Sequence, residues 1–299
     1  MSVCCVGEPM IELSFATTWQ LHYGGDTLNT AVHLARLNVL TSYFSAIGPD
    51  AFSQSLRQQL EQERLQCSTL QTHPKKNIGL YAINNDRSGE RTFSYWRSDS
   101  AAKEMFTLES TPASIEKALE HDVLYFSLVS LAILNPNSRI ELIRLAADFK
   151  KRGKKVIFDT NYRPSLWASP AEALHWHDQA VSQSHLVFPT EEDERALNIG
   201  HSMSEIIARL KQLGAERVIL KIGSKGCMLD DGTIIPTVAI KPLDTSGAGD
   251  AFNAGYIAAW LGGKPPPECA LSGHAVAAWV ISRIGAIPQI DSAYPVGLP

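Results

Sequence analysis

The 299-residue sequence has few features of secreted, metal-binding or nucleic-acid-binding proteins. Its five cysteines are an odd number and lack the paired spacing of zinc ligands, which favours reduced thiols over disulfides. The formal net charge is −4 and the basic residues are dispersed, which argues against a nucleic-acid partner. No secretory leader and no membrane-length apolar run is evident. We therefore expect a cytoplasmic protein that binds neither membranes nor nucleic acid.

Several common catalytic motifs are also absent. No Gly-x-x-x-x-Gly-Lys-Ser/Thr segment is present, so the chain is not a P-loop enzyme, and no protein-kinase catalytic loop occurs. The segment Gly247-Ala248-Gly249 does not continue as a dinucleotide fingerprint, because position 252 is phenylalanine. Neither a His-Glu-x-x-His segment nor a paired cysteine motif indicates catalytic zinc.

Short apolar β-type runs alternate with helical patterns along most of the chain. This alternation predicts an α/β fold with a mostly parallel central sheet covered by helices on both faces. In such sheets ligands bind beyond the carboxyl ends of the strands. Strands are predicted near 3–7, 42–47, 122–127, 155–159, 185–189 and 217–221, and helices near 26–38, 51–64, 136–152, 170–183 and 204–213.

Two stretches, at about 9–24 and 77–98, break this alternation because their β-type runs have no intervening helices. A turn at 84–89 separates the last two runs. We expect a small, discontinuous β-sheet inserted into one α/β domain that spans residues 1–299. Exposed strands of such a sheet can pair between subunits, so we expect a homo-oligomer formed through it.

The segment from Asp244 to Asp250 (Asp-Thr-Ser-Gly-Ala-Gly-Asp) predicts a glycine-rich turn that opens into a helix. Glycine allows close approach to a ligand, and the free N–H groups of a helix start attract anions such as phosphate. Because Asp250 would repel a phosphate, its presence favours a base that takes a proton from an attacking hydroxyl. The alternative is that the glycines pack a helix start which Asp250 caps.

A second motif lies near the N-terminus, in Gly24-Gly25-Asp26-Thr27-Leu28-Asn29. A strand end is predicted to turn into a helix that begins near Asp26. Asp26 and Asn29 are three residues apart on its first turn, so they share one face and could bind ligand hydroxyl groups. The alternative is an aspartate cap with an asparagine beside it.

The two motifs resemble the signatures of ribokinase-like (PfkB-type) carbohydrate kinases, and the resemblance spans essentially the whole chain. It implies that Asp250 is the catalytic base and that Gly247, Ala248 and Gly249 form the anion hole for the transferring phosphoryl group. It also implies a lid over the sugar, which would keep water away from that group. The sugar-binding positions implied by the N-terminal signature are Gly24, Gly25, Asp26 and Asn29.

Two arginines indicate that the substrate is acidic. The period of two in the predicted strand at 91–97 places Tyr95 and Arg97 on one face, and Arg163 follows the predicted strand at 155–159. A guanidinium group matches the geometry of a carboxylate, which a neutral hexose lacks. The alternative is that both arginines are surface residues or pair with nearby carboxylates.

Four segments are similar to the branch of the family that phosphorylates 2-keto-3-deoxygluconate, a six-carbon sugar acid, at its terminal hydroxyl. This similarity also implicates Tyr81 in contact with the sugar acid. The expected product is 2-keto-3-deoxy-6-phosphogluconate. A kinase for a neutral sugar of the fructose or ribose type and a non-catalytic sugar-acid sensor stay open as alternatives. The four segments are 7–14, 89–97, 130–134 and 158–164.

The resemblance also implies an ATP site. The segment from Lys221 to Gly226 resembles the family's Lys-x-Gly-x-x-Gly loop, which lies along ATP. Thr190 and Asp193 stand where the family usually has an Asn and a Glu that place hydrated Mg²⁺, so the metal ligands are left open, as is a monovalent cation at the anion turn. We expect Mg²⁺ to be held through water and phosphates. The implied nucleotide-binding positions are Thr190, Lys221, Gly223, Ser224, Gly226, Thr245, Gly247, Gly249 and Gly273.

Overall fold

The computed structural model describes residues 1–15, 18–85, 91–197 and 202–295. Of the predicted turn at 84–89, residues 86–89 lie outside these ranges. The strands are β1 (Ser2–Val6), β2 (Met10–Phe15), β3 (Trp19–Gly24), β4 (Leu40–Ile47), β5 (Leu70–Thr72), β6 (Gly79–Asn85), β7 (Arg91–Trp96), β8 (Val123–Ser127), β9 (Lys155–Asp159), β10 (Leu186–Phe188), β11 (Arg217–Val218), β12 (Leu220–Lys221), β13 (Cys227–Met228) and β14 (Ile234–Ile235). The α-helices are α1 (Asp26–Arg36), α2 (Ala51–Gln62), α3 (Thr111–Ala118), α4 (Leu128–Ala132), α5 (Pro136–Lys151), α6 (Pro170–Gln183), α7 (Glu191–Ala196), α8 (Met203–Gln212), α9 (Ala248–Leu261) and α10 (Pro266–Ile281).

Seven strands form one parallel sheet in the order β11-β10-β9-β8-β1-β4-β5. Because successive side chains of a strand point to opposite faces, Cys4 and Val6 of β1 enter one core and Val3 and Cys5 enter the other. Helices α5, α6 and α8 pack into the first core, and α1, α2 and α9 pack into the second. The predicted α/β architecture, with helices on both faces, is confirmed.

Four other strands form a separate small sheet in the order β3-β2-β6-β7. Strand β2 runs parallel to β6, and the two outer pairs are antiparallel. This sheet contains the two stretches at 9–24 and 77–98 that break the helix–strand alternation. Large side chains are exposed on it, including Trp19, Phe93, Tyr95 and Trp96.

The predicted strand at 217–221 is divided between two sheets. Strand β11 pairs with β10 in the large sheet, whereas β12 pairs with β13 in a three-stranded antiparallel sheet. The short helix α4 was not predicted, because five residues are too few to show a helical period. Its start is set locally by a capping box, in which Ser127 and Ser130 exchange side-chain and backbone hydrogen bonds.

The last two helices place the C-terminal motif. Helices α9 and α10 can pack closely because residue 273 is a glycine. Any Cβ at this position would lie only 2.7 Å from the ring of Phe252. On its other side α9 packs against α1, so the two sequence motifs start on neighbouring helices. Within the described ranges, none of the helices combines the length and the apolar character needed to cross a membrane.

Candidate active site

The N-terminal motif lies at the carboxyl ends of β8 and β9, the edge at which a parallel sheet is expected to bind ligands. Asp26 Oδ2 accepts hydrogen bonds from Ser127 Oγ at 2.5 Å and from Asn161 Nδ2 at 2.9 Å. The N-cap of α1 is Gly25, whose φ is 140°, and a Cβ there would lie 2.2 Å from the Glu8 carbonyl oxygen. Gly25 therefore allows this turn, and Asp26 is fixed by side-chain contacts instead of serving as the cap.

Asp250 lies in the first turn of α9 and contacts α1. Its Oδ2 accepts a hydrogen bond from Asn29 Nδ2 at 2.8 Å, and its carbonyl oxygen lies 3.2 Å from Thr30 Oγ1. The N-cap of α9 is Gly247, and no side chain caps this helix. The carboxylate of Asp250 is therefore not used as a helix cap and faces the polar start of α1.

A cation lies beside this carboxylate. Lys221 Nζ is 3.0 Å from Asp159 Oδ1 and 3.3 Å from Asn253 Oδ1, and Asn253 Nδ2 donates to Asp159 Oδ2 at 2.9 Å. A Cβ added at Gly249 would lie 3.6 Å from Lys221 Nζ. The lysine predicted for the nucleotide loop therefore lies against the glycine turn, where it can stabilise negative charge.

The surroundings of Asp250 hold its proton more tightly than water would. Burial is the main cause and, together with the negative charges of Asp26 and Asp159, it raises the pKa of Asp250 to about 8. The hydrogen bond from Asn29 and the charge of Lys221 act in the opposite direction and lower it. A pKa near the working pH is what an efficient general base needs.

The resemblance implies that Asp250 is the catalytic base, so the pH dependence of the implied sugar phosphorylation should report this carboxyl group. Only ionised Asp250 can accept a proton, so we expect kcat/KM to rise with pH up to about 8 and to level off above it. Asn29→Ala removes a donor that stabilises the carboxylate, and should move the midpoint upwards by about one to two pH units. Initial rates from pH 5.5 to 9.5 at low sugar concentration measure both profiles. Superimposable profiles would show that another group titrates.

The glycine turn before α9 is held in a left-handed conformation at Gly247 by its neighbours. Gly247 has a φ of 70°, and a Cβ there would lie 2.5 Å from the Cβ of Ala286. Asp244 fixes both sides of the turn, because Oδ1 accepts from Ser246 N at 2.8 Å and Oδ2 accepts from Gly285 N at 2.9 Å. The N–H of Ala248 donates to the carbonyl oxygen of Thr245 at 3.3 Å. The first N–H groups of a helix lack acceptors within the helix, so the start of α9 is suited to binding an anion.

The small sheet supplies aromatic and basic side chains to the same region. Tyr81 and Tyr95 are directly paired across β6 and β7, with ring centroids 5.9 Å apart. The hydroxyl of Tyr81 donates to Glu12, and it would lie 2.6 Å from a Cβ at Gly24. Tyr81 therefore lies over the start of α1. Tyr95 also has Arg97 at its ring, 5.9 Å from the centroid, as the period of two predicted.

The two arginines contact different carboxylates. Arg97 donates to the buried Glu8, to which Ser100 also donates, while the side chain of Arg163 is 57% exposed and its Nη1 lies 3.9 Å from Asp193 Oδ1. Burial raises the pKa of Glu8, and the charge of Arg97 opposes this rise. The sequence alone leaves open that both arginines pair with nearby carboxylates. Arg97 forms such an ion pair with Glu8, whereas the pair of Arg163 with Asp193 is long and weak.

The predicted nucleotide-binding residues fall into two groups. Gly226 and Gly273 are required by packing. A Cβ at Gly226 would lie 2.1 Å from the Ile235 carbonyl oxygen, and a Cβ at Gly273 would collide with the ring of Phe252. Their roles in nucleotide binding stay predictions, as do those of the accessible residues. Thr190, which caps α7, is half-buried, and the exposed residues are Gly223, Ser224 and Thr245.

Sequence reasoning missed three residues that complete the site. Asp159 and Asn253 anchor Lys221, and Glu8 holds Arg97. Two signals were available: Asp159 ends a predicted strand at the ligand-binding edge, and Asn253 follows Asp250 by three residues on the same helix face. Nothing in the sequence indicates that Glu8 meets Arg97, because their contact depends on how the small sheet folds back.

The chain belongs to the pfkB family of carbohydrate kinases, whose family model matches residues 1–293. It is 39% identical over 297 residues to a 2-dehydro-3-deoxygluconokinase of Escherichia coli K12, covering 95% of this chain and 96% of that protein. A 2-dehydro-3-deoxygluconokinase of Dickeya dadantii is 36% identical over 307 residues, with 97% and 98% covered. A fructokinase double mutant from Vibrio cholerae O395, solved with fructose, ADP and a potassium ion, has the same fold, with a TM-score of 0.82, 24% identity and 96% and 94% covered.

Proposed function

We propose that this protein transfers the γ-phosphoryl group of ATP to the terminal hydroxyl of 2-keto-3-deoxygluconate, which is the sugar acid also called 2-dehydro-3-deoxygluconate. The product is 2-keto-3-deoxy-6-phosphogluconate. The observation that carries this proposal is the position of Asp250, which is hydrogen-bonded to Asn29 of the sugar-binding motif and lies in the first turn of the helix behind the glycine turn. The identity to 2-dehydro-3-deoxygluconokinases over nearly the whole chain supports the choice of sugar.

The proposed reaction needs a base on one side of the acceptor hydroxyl and an anion site on the other. Asp250 takes the hydroxyl proton as the oxygen attacks the γ-phosphorus, and the bond from that phosphorus to the bridging oxygen of ADP breaks. The N–H groups at the start of α9 and Lys221 stabilise the charge on the transferring group. Asp26 and Asn29 position the sugar, and Asp250 then holds the proton until ADP and product leave.

Magnesium would accompany ATP in this proposal. Among the described residues, no cluster of three or more His, Cys, Asp or Glu side chains could hold a metal ion directly. We therefore propose a hydrated ion that is held by the phosphate oxygens of ATP and by water, which is how Mg²⁺ usually binds with nucleotides. When bound, the ion would neutralise charge on the phosphates.

The small sheet is proposed to act as a lid over the sugar. It covers the start of α1 through Tyr81, and its strands occupy two separate parts of the chain inside one α/β domain. Its exposed aromatic surface is also where we expect two copies of the chain to associate, since exposed strands with large apolar side chains favour pairing. Sedimentation velocity of the intact protein tests that association.

Recognition of the acid group is assigned to Arg163 and Arg97. Arg163 has the less committed guanidinium, because its only ion pair among the described residues spans 3.9 Å. Arg97 is already paired with Glu8, so a substrate carboxylate must share or replace that partner. An arginine that is already neutralised by Glu8 is also compatible with a neutral sugar substrate. The pair of Arg97 and Glu8 is therefore the observation that keeps a fructose-type kinase as the second candidate.

A comparison of two substrates on three enzymes distinguishes these candidates. We expect wild type to prefer 2-keto-3-deoxygluconate over a neutral ketohexose, and Arg163→Ala to lose most of that preference with little change in the KM for ATP. Leaving a charged partner unpaired in a closed site costs about 2–5 kcal/mol, which is more than tenfold in affinity. Arg163→Lys should recover only part, because an ammonium group lacks the planar fork. Equal losses with both sugars would favour the neutral-sugar kinase.

A further inference from the structure

His33 is a fully buried residue of α1, one turn beyond Asn29, and both of its ring nitrogens have partners. Nε2 lies 3.0 Å from the carbonyl oxygen of Ala286, and Nδ1 lies 3.0 Å from the hydroxyl of Tyr294. A carbonyl oxygen can only accept, so Nε2 carries the proton and Nδ1 accepts from Tyr294. Burial lowers the pKa of His33 to about 4, so the ring is neutral at pH 7. The proposed reaction makes no use of this group.

Ala286, the residue whose carbonyl oxygen is bonded to His33, packs behind the glycine turn before α9 (the anion turn, residues 244–249). A Cβ at Gly247 would lie 2.5 Å from the Cβ of Ala286 and 2.9 Å from its Cα, so the two backbones are in close contact. The preceding residue, Gly285, donates its N–H to Asp244 at the other end of the same turn. Residues 283–291 have no helix or strand to fix them. Their position therefore depends on tertiary contacts, which include the bond from His33.

Helix α1 holds this segment at a second point. Arg36 Nη1 donates to the carbonyl oxygen of Pro288 at 2.8 Å, one helical turn after His33 contacts Ala286. The same helix carries Asp26 and Asn29 at its other end. One rigid element thus contacts both the sugar-binding motif and the segment that supports the phosphate-binding turn.

We propose that His33 is a positioning residue that sets the anion turn in register with the sugar-binding start of α1. It acts through the hydrogen bond to Ala286 and the contact of Ala286 with Gly247, and it touches neither substrate. The proposal rests on the kinase function proposed above. Loss of this support should lower the rate of phosphoryl transfer more than sugar binding, because misplacing a reacting group by about 1 Å can cost on the order of a hundredfold.

The test compares His33→Phe with Tyr294→Phe. His33→Phe keeps an aromatic ring but removes both hydrogen bonds, and we expect kcat to fall at least about tenfold, the KM for ATP to rise, and the KM for the sugar acid to change less than about twofold. Tyr294→Phe keeps the bond to Ala286 and should retain kcat within about threefold. His33→Gln can still donate to Ala286 and should recover part of the loss. Calorimetric titration with ADP should show weaker binding to His33→Phe.

Equal effects of His33→Phe and Tyr294→Phe would overturn the proposal, as would a rise in the KM for the sugar alone. If His33→Phe does not fold, Ala286→Gly provides the test instead. This variant removes the methyl group that packs against Gly247 and keeps the hydrogen bond from His33 to the carbonyl oxygen of residue 286. A lower kcat with an intact melting transition supports the proposal, and an unchanged kcat refutes it. Absence of activity of wild type on 2-keto-3-deoxygluconate would instead refute the proposed substrate, and the variants would then be compared on the sugar that wild type phosphorylates.

Discussion

Asp250→Asn should lower kcat by about two to four orders of magnitude and leave the binding of ATP and sugar largely unchanged. Asparagine has nearly the same shape but cannot take the proton of the acceptor hydroxyl. Asn29, which donates to Asp250, can bond equally to the amide oxygen, so the contact between α1 and α9 survives. Steady-state rates from a coupled ADP-release assay measure the loss. Turnover close to that of wild type would remove Asp250 from the mechanism.

Thermal stability supplies the control for this variant. The folded protein raises the pKa of Asp250 from 3.8 to about 8, so between these values the folded state keeps a proton that the unfolded chain has lost. The contribution of this carboxyl group to stability therefore falls as pH rises through that window. Asparagine has no such dependence, and Asp250→Asn should melt at or above the wild-type temperature at pH 8. A lower melting temperature there would assign part of the kinetic loss to misfolding.

Gly247→Ala should reduce kcat on the order of a hundredfold and raise the KM for ATP. An L-residue is strained at a φ of 70°, and the new Cβ would lie 2.5 Å from that of Ala286, so the turn must change shape. Gly249→Ala is the matched control, because its Cβ would meet Lys221 Nζ at 3.6 Å, an ordinary contact. We expect Gly249→Ala to lose much less activity. The opposite order would show that close approach at Gly249, and not the conformation at Gly247, makes the phosphate site.

Much of the fold could be predicted from the chain because its signals are local. The alternation of apolar runs with helical periods gave the parallel sheet and most helix positions to within a few residues, as for α5 and α6. The break in that alternation indicated the small sheet. The split of the predicted strand at 217–221 could not be anticipated, since it depends on the pairing of Leu220 and Lys221 with β13, while Lys221 also keeps a parallel bridge to Thr190 beyond the end of β10.

The site was predictable in its motifs and less so in its contacts. The glycine turn was predictable because glycines before a helix start form a local anion-binding motif. Asp26 and Asn29 were predictable as a pair because residues three apart share one face of a helix. The bond between Asn29 and Asp250, in contrast, joins residues 221 positions apart and depends on how α1 packs against α9. The Glu8 partner of Arg97 is also far from its arginine in sequence, at 89 positions. Tertiary packing sets these contacts, and one sequence does not record it.

The most direct test of the proposed function is to identify the product. Purified protein would be incubated with ATP, Mg²⁺ and 2-keto-3-deoxygluconate, with a neutral ketohexose and ribose in parallel, and each product examined by mass spectrometry and phosphorus-coupled NMR. We predict rapid formation of a monophosphate of the sugar acid with the phosphate on its terminal hydroxyl group, formation of this product at least about a hundredfold more slowly with Asp250→Asn, and slow turnover of the neutral sugars. Efficient phosphorylation of a neutral sugar with none of the acid, or binding of the acid without any ADP release, would contradict the proposed function.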